Sequence, residues 1–228
     1  MNNPWTELPN DKPYILASDR EMIEQFNKIA RTDHFIHHEM LPEPFMGNPD
    51  APIVLLNGNP SGHSDNDLFW YQKPEFARLT KGNLVHAPSD HSFYLLNPKA
   101  EGSGGYSWWM KKLKPVISCS DQKTVANNIF CVEYFPYHSI RAANFQKYKR
   151  IPSQEYSFHL VEKAINRNAH IILMRWKNSW LGTFPQLNTY DNIYRLNTSR
   201  NVIISPGNCP GGFEKIVDVL KNAKANDN

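Results

Sequence analysis

Cysteine is scarce and scattered. The 228-residue chain has three, Cys119, Cys131 and Cys209, and no two form a Cys-x-x-Cys pair. That excludes a zinc ribbon or a four-cysteine iron–sulfur cluster on ligand count, and predicts a reduced, cytoplasmic protein. No apolar run approaches the ~18 residues a membrane helix needs. The opening Met1-Asn2-Asn3-Pro4-Trp5-Thr6-Glu7 lacks a basic region followed by an apolar core, so no secretory signal is expected. Excess charge is small, +3 with histidine neutral, which permits a nucleic-acid partner without demanding one. Internal repeats and a domain linker are also missing, so residues 1–228 are expected to form one domain, a monomer. Glu101-Gly102-Ser103-Gly104-Gly105 is a hinge or phosphate-approach loop without the Lys-Ser/Thr of a P-loop, which argues against a nucleotide triphosphate. Ser61 and Ser205 lack a Gly-x-Ser-x-Gly elbow, which argues against a Ser-His-Asp hydrolase.

What is present is organised around one stretch. Ile53-Val54-Leu55-Leu56 reads as a strand buried on both faces. It gives way at once to Asn57-Gly58-Asn59-Pro60-Ser61-Gly62-His63, which is turn chemistry. Ligands of open α/β sheets bind beyond the carboxyl ends of strands. Asn57, Asn59, Ser61 and His63 therefore stand where a site belongs.

Along the rest of the chain, residues 1–17 are irregular, and Ser18 with Glu21 predicts a capping box for a helix over 19–31. His34, His37 and His38 would share a helix face and suggest a metal, but no distant further ligand stands out, so neither a metal nor another cofactor is expected. Residues 41–49 hold three prolines and read as a loop. Residues 64–107 read as a long connection; the aromatics of this part and its edge (Trp70, Tyr71, Phe76, Phe93, Tyr94, Tyr106, Trp108, Trp109) and interleaved cations either fill a core or form a surface for a flipped base. A helix from Tyr106 ends at Pro115. Further strands are predicted at 129–135, 170–176 and 201–204, with helices from Ser153 to about 168, from about Ser179 to Pro185, and from Phe213 into a tail frayed from Ala223. Glu133 is an acid in an apolar run: an edge residue facing water or a functional group. The alternation predicts a three-layer α/β/α sandwich around a mostly parallel, four-stranded sheet, with the loops after strands one and four facing one cleft.

In motif order the chain resembles the uracil-DNA glycosylase superfamily. Asn57-Gly58-Asn59-Pro60-Ser61-Gly62 is similar to its water-activating loop in the Gly-x-Asn-Pro-Gly form. Val132-Glu133-Tyr134-Phe135-Pro136-Tyr137 resembles the base-reading strand, Ile171–Trp176 the third strand, and Ser205-Pro206-Gly207-Asn208 the loop that enters the minor groove. The resemblance implies a uracil-DNA glycosylase-like fold and a DNA glycosylase that hydrolyses the N-glycosidic bond of a flipped-out base, in repair or defence. It makes DNA, single- or double-stranded, the partner. It puts Asn59 in the catalytic position, followed by Pro60, with Ser205 where the family has His or Asn, and Glu133 where the family usually reads uracil with Asn. Ser205, His63 and the backbone of Ser61-Gly62 are candidate donors to the departing base, with Gly58 allowing close approach. Phe69, Trp70 and Tyr137 are candidate stacking rings. His138 would add polarisation. Basic residues at 111–114 and 141–150 would bind phosphates. An ionised Glu133 only accepts hydrogen bonds, so it points from uracil toward a cytosine-type or modified base. The rivals are a non-catalytic nucleic-acid-binding protein, a hydrolase of free nucleotides or nucleosides, and a metal-dependent activity through His34, His37 and His38.

Overall fold

The computed structural model describes residues 1–141 and 150–226. Lys147 and Lys149 of the expected basic stretch lie outside them. Among the described residues, five strands form one sheet in the order β1-β3-β2-β4-β5: β1 Phe45–Gly47, β2 Ile53–Leu56, β3 Ile129–Val132, β4 His170–Leu173 and β5 Ile193–Arg195. Only β1 runs antiparallel, against β3; the β2–β3, β2–β4 and β4–β5 pairs are parallel.

The period of two along β2 builds two cores. Val54 and Leu56 pack on one face with α1 (Ala17–Ile29), α6 (Gln154–Asn166) and α7 (Lys177–Thr183). Ile53 and Leu55 pack on the other with α3 (Pro74–Leu84), α4 (Gly104–Ser118), α5 (Gln122–Asn128) and α8 (Gly212–Asn226). Helices therefore cover both faces, as a run of four fully buried residues requires. No helix among the described residues is long and apolar enough to cross a membrane.

The sheet has five strands where four are expected, and the differences are at its edges. Residues 201–204 form no strand. Val202 and Ile204 are buried, but the Ile204 N–H donates to the Lys112 carbonyl (3.0 Å) and the Ile203 carbonyl accepts from the Asn208 side chain (2.8 Å). A helix carbonyl and a side chain thus take the place of a ladder. The fourth parallel strand is instead the half-exposed β5. At the opposite edge β1 lies inside the proline-rich stretch 41–49, and its outer rim is closed by Asn83, which accepts from Gly47 N (3.0 Å) and donates to Phe45 O (2.7 Å).

Several helix bounds also differ. α1 starts at Ala17 after Leu16 with no side-chain cap, so Ser18 does not cap it. Tertiary contacts hold this end instead: Leu16 N donates to the Tyr137 hydroxyl (3.2 Å), and buried Asp19 accepts from Tyr137 (2.8 Å) and from Ser153 N (3.0 Å). The connection 64–107 contains α2 (Asp65–Gln72), which opens with a capping box between Ser64 and Asp67, and then α3, with Pro74 in its first turn. α4 continues past Pro115 to Ser118. Residues 223–226 belong to α8, with Lys224 paired to Asp121 at 3.0 Å.

Candidate functional site

Beyond the carboxyl ends of β2, β3 and β4 lies a cavity of about 220 Å³. Its walls include Asn57, Asn59, Pro60, Ser61, Glu133, Glu43, Trp108 and Arg175. Pockets for drug-sized ligands run to ~300–1,000 Å³, so this one suits a single small ring.

β2 delivers Asn57 as its first residue past the ladder, and β3 delivers Glu133 in the same way. Glu133 is buried and lies beyond the strand's end, so it does not face water at an edge. Asn57 Nδ2 donates to Glu133 Oε1 at 2.9 Å. The Asn57 backbone is fixed on both sides, its N–H to Val132 O (2.9 Å) and its carbonyl receiving Trp180 Nε1 (2.7 Å). Asn57 Oδ1 and Glu133 Oε2 are buried with no hydrogen-bond partner. Each such atom costs about 1–3 kcal/mol if nothing meets it. Burial pushes the Glu133 carboxyl up to about 8; the Asn57 hydrogen bond opposes this, the nearby Glu43 carboxylate adds to it, and Arg175 opposes it. Raised in this direction, Glu133 can hold its proton and donate, whereas the acceptor-only expectation belongs to its ionised form.

Asn59 lies beside this pair. Both its amide hydrogens are committed within the protein, to Ser139 Oγ (2.8 Å) and Pro60 O (2.9 Å). Its Oδ1 is what remains for a ligand. Gly58 is required by packing: a Cβ there would meet Trp176 Nε1 at 2.9 Å.

Behind the cavity, Glu43 accepts from the hydroxyls of Tyr71 and Tyr94, and Tyr71 lies 3.3 Å from His138 Nε2. His138 is buried, and burial lowers its pKa against the pull of Glu43 and the Ser61 and Leu41 backbones. His138 thus joins the wall of a smaller adjoining cavity, together with Trp70 and Tyr71.

Other expected site residues stand elsewhere. Tyr137 is fully buried under α1, bound to Asp19, so it cannot stack on a ligand. Phe69 is 56% exposed beneath Lys73 and lines neither cavity. Ser205, Pro206, Gly207 and Asn208 do not line the cavity. Their loop is tied to residues 197–203: Asn208 Nδ2 donates to Asn201 O and Ile203 O, its Oδ1 accepts from Thr198 N, and Gly207 O accepts from Asn197 Nδ2. Lys112 is buried and donates to Asn201 Oδ1 (2.8 Å) instead of facing a phosphate. His63 turns to Glu39, and its ring stacks on His37 with centroids 3.5 Å apart. His34, His37 and His38 share no helix face; His34 ends a short 3-10 turn and its Nδ1 lies 3.3 Å from Arg141 O. Among the described residues, His37, Glu39 and His63 form the one group placed to hold a metal.

Of the further wall residues, Trp108 belongs to the aromatics expected either to fill a core or to face a flipped base, while Arg175 and Glu43 are not among the expected site residues. Arg175 follows β4, the position the strand-end rule marks, and its Nε is buried without a partner. Trp108, with Arg175 Cζ 5.6 Å from its ring, projects from α4. Glu43 comes from the proline-rich stretch before β1, where nothing in the sequence distinguishes it from a surface acid. No protein-family model, curated protein or solved structure matches the chain.

Proposed function

We propose that this chain is an N-glycosidase on a uracil-DNA glycosylase-like scaffold, which hydrolyses the bond between sugar and a flipped-out pyrimidine in DNA and leaves an abasic site. The observation that carries the reading is that Asn57 and Glu133, each with a buried and unpartnered side-chain oxygen, line a ring-sized cavity together with Asn59.

Breaking this bond develops positive charge on the sugar and negative charge on the base, after extrusion at a cost of a few kcal/mol. Asn59 Oδ1 accepts a hydrogen bond from water and aims its oxygen at the sugar carbon; an amide takes no proton, so as the C–O bond forms and the C–N bond breaks, the water's proton passes through solvent to the departing base anion. Protonated Glu133 donates through Oε2 while Asn57 Oδ1 accepts. Adjacent acceptor and donor groups occur on the edge of uracil (O4 and N3–H) and of cytosine (N3 and N4–H), so the neutral acid serves either base. The ionised form, above about pH 8, accepts only and favours the amino-bearing edge. Trp108 offers the aromatic face that Phe69 and Tyr137 do not, and Arg175 a cation for charge on the departing base. Neither Ser205 nor His63 has a part in this scheme.

The test is incubation with single- and double-stranded oligonucleotides carrying uracil, a thymine mismatch, hydroxymethylcytosine or glucosylated cytosine, followed by alkali to break abasic sites. Cleavage of one substrate that is lost in Asn59→Ala supports the enzyme and names its base. Salt-sensitive binding without cleavage makes the chain a nucleic-acid-binding module. Absence of both binding and cleavage overturns the reading.

A further inference from the structure

We propose that His37, Glu39 and His63 bind one divalent transition-metal ion of the zinc class, which fastens the loop carrying Asn59 to the N-terminal part of the chain. His37 Nδ1 lies 3.1 Å from Glu39 Oε1, and His63 Nε2 contacts the same oxygen. The three ligand atoms all fall within 4.8 Å of one another. Each side chain is partly shielded, with 13%, 33% and 23% of its surface exposed for His37, Glu39 and His63, so an ion can enter and yet exchange much of its water.

The focus is unusual for an ordinary ion pair. Two imidazoles aim at one carboxylate oxygen, and their rings are stacked with a 15° angle between planes. Two imidazolium rings so placed repel. Two neutral rings must both direct a proton at one oxygen. One cation can replace both protons. Two imidazole nitrogens and one carboxylate oxygen are a donor set that suits zinc, while calcium and magnesium favour oxygen ligands. Three protein ligands leave a fourth position for water. Coordination in the plane of both rings splays them from their stack by side-chain rotation.

The backbone brings the ligands together without the ion. His37 forms a bridge with His138, and Ser61, two residues before His63, forms a bridge with Ser139. Adjacent residues of one segment therefore hold both ligand-bearing segments, so little ordering is left for the ion to impose. The site stands whether or not the cavity cuts a glycosidic bond, and its test reads metal alone.

Tag-free full-length chain, stripped with chelator and dialysed, is titrated with zinc ion, and bound metal is measured by elemental analysis and calorimetry. Cobalt ion serves as the visible-absorption probe. The expected result is one equivalent of zinc, a rise in melting temperature on binding, and cobalt bands typical of few-ligand nitrogen–oxygen coordination. His63→Ala and His37→Ala lose the equivalent; His34→Ala keeps it. Glu39→Gln, which retains the hydrogen-bonding shape, keeps its circular dichroism and binds more weakly, so loss of metal is separable from loss of fold. Failure of the wild-type chain to bind an equivalent overturns the proposal. So does retention of that equivalent in His63→Ala, or its loss in His34→Ala to the same degree.

Discussion

Two loops of this chain use nearly the same residues. Asn57–Gly62 and Ser205–Asn208 are both built from Asn, Ser, Pro and Gly, and both follow a buried apolar run. They differ in where their polar atoms go. In the second, Asn208 donates twice and accepts once within eleven residues of itself, and the Ser205 carbonyl takes two N–H groups. In the first, Asn57 keeps a buried oxygen with no partner and Asn59 keeps an uncommitted one. A closed set of hydrogen bonds makes a staple; an open set beside a cavity leaves atoms that a ligand or water can meet. The sharpest break between the loops is catalytic. Asn59→Ala is expected to lower kcat/KM in the alkali-cleavage assay by about 10²-fold or more, the usual cost of misplacing a reacting group, while circular dichroism stays native. Asn208→Ala is expected to leave activity per folded molecule unchanged.

The second break concerns Glu133, the acid that Asn57 holds. Its value in the folded chain, about 8, lies above its ordinary 4.5. Between those limits the unfolded chain binds fewer protons than the folded one, so stability falls as pH rises through the window. The loss is absent below 4.5 and complete above about 8. Urea unfolding at a series of pH values should show this decline in the wild type and a flatter profile in Glu133→Gln. Activity on a uracil-type edge should fall as pH passes about 8 in the wild type and not in the variant, whose amide donates at every pH. A variant profile identical to the wild type removes Glu133 from the reading of the base.

The first loop was legible because an uninterrupted apolar run met a cluster of turn residues, and Glu133 because an acid within branched residues is a thermodynamic oddity. The second loop has the same outward signs, and its composition says nothing about which partners its amides find. Glu43 comes to the cavity from a segment with no local mark, and Trp108 stands in an aromatic, cation-rich stretch whose composition does not say which ring meets the cavity; packing that only the fold supplies decides both. Arg175 could have been found from its place after β4. The edge strands β1 and β5 escaped for a related reason: three residues each, one set among prolines and one half-exposed, give no periodic signal. His37 and His63 were each visible, but only the two backbone bridges to residues 138–139 join them.

A smaller effect sharpens the comparison from the side of the staple. Asn208→Ala removes three side-chain hydrogen bonds, to Asn201, Ile203 and Thr198. The Ile203 carbonyl then lacks its donor in a partly buried position. The expected cost is about 1–3 kcal/mol, and at ~2–4 °C per kcal/mol for a chain of this size thermal melting should register it clearly. An unchanged melting temperature would mean that water replaces Asn208 and that the loop is not a staple.

The smallest contrast lies between two glycines. Gly62 has φ +108°, a region side chains rarely adopt, and an added Cβ would come within 2.7 Å of Asp67 Oδ2. That carboxylate cannot easily retreat, since it accepts from Ser64 N and Ser64 Oγ to cap α2. Gly207 has no atom within 4 Å of the same added carbon and no left-handed backbone. Gly62→Ala is therefore expected to cost about 1–3 kcal/mol through strain, and Gly207→Ala to fall within about 0.5 kcal/mol of wild type. Paired melts of the two variants measure the difference. Since Gly62 and Asp67 both line the cavity, the first variant should also lose activity beyond its loss of stability. Equal, small effects at both positions would mean that the first loop is as free as the second, and that Asn59 is held by its own hydrogen bonds alone.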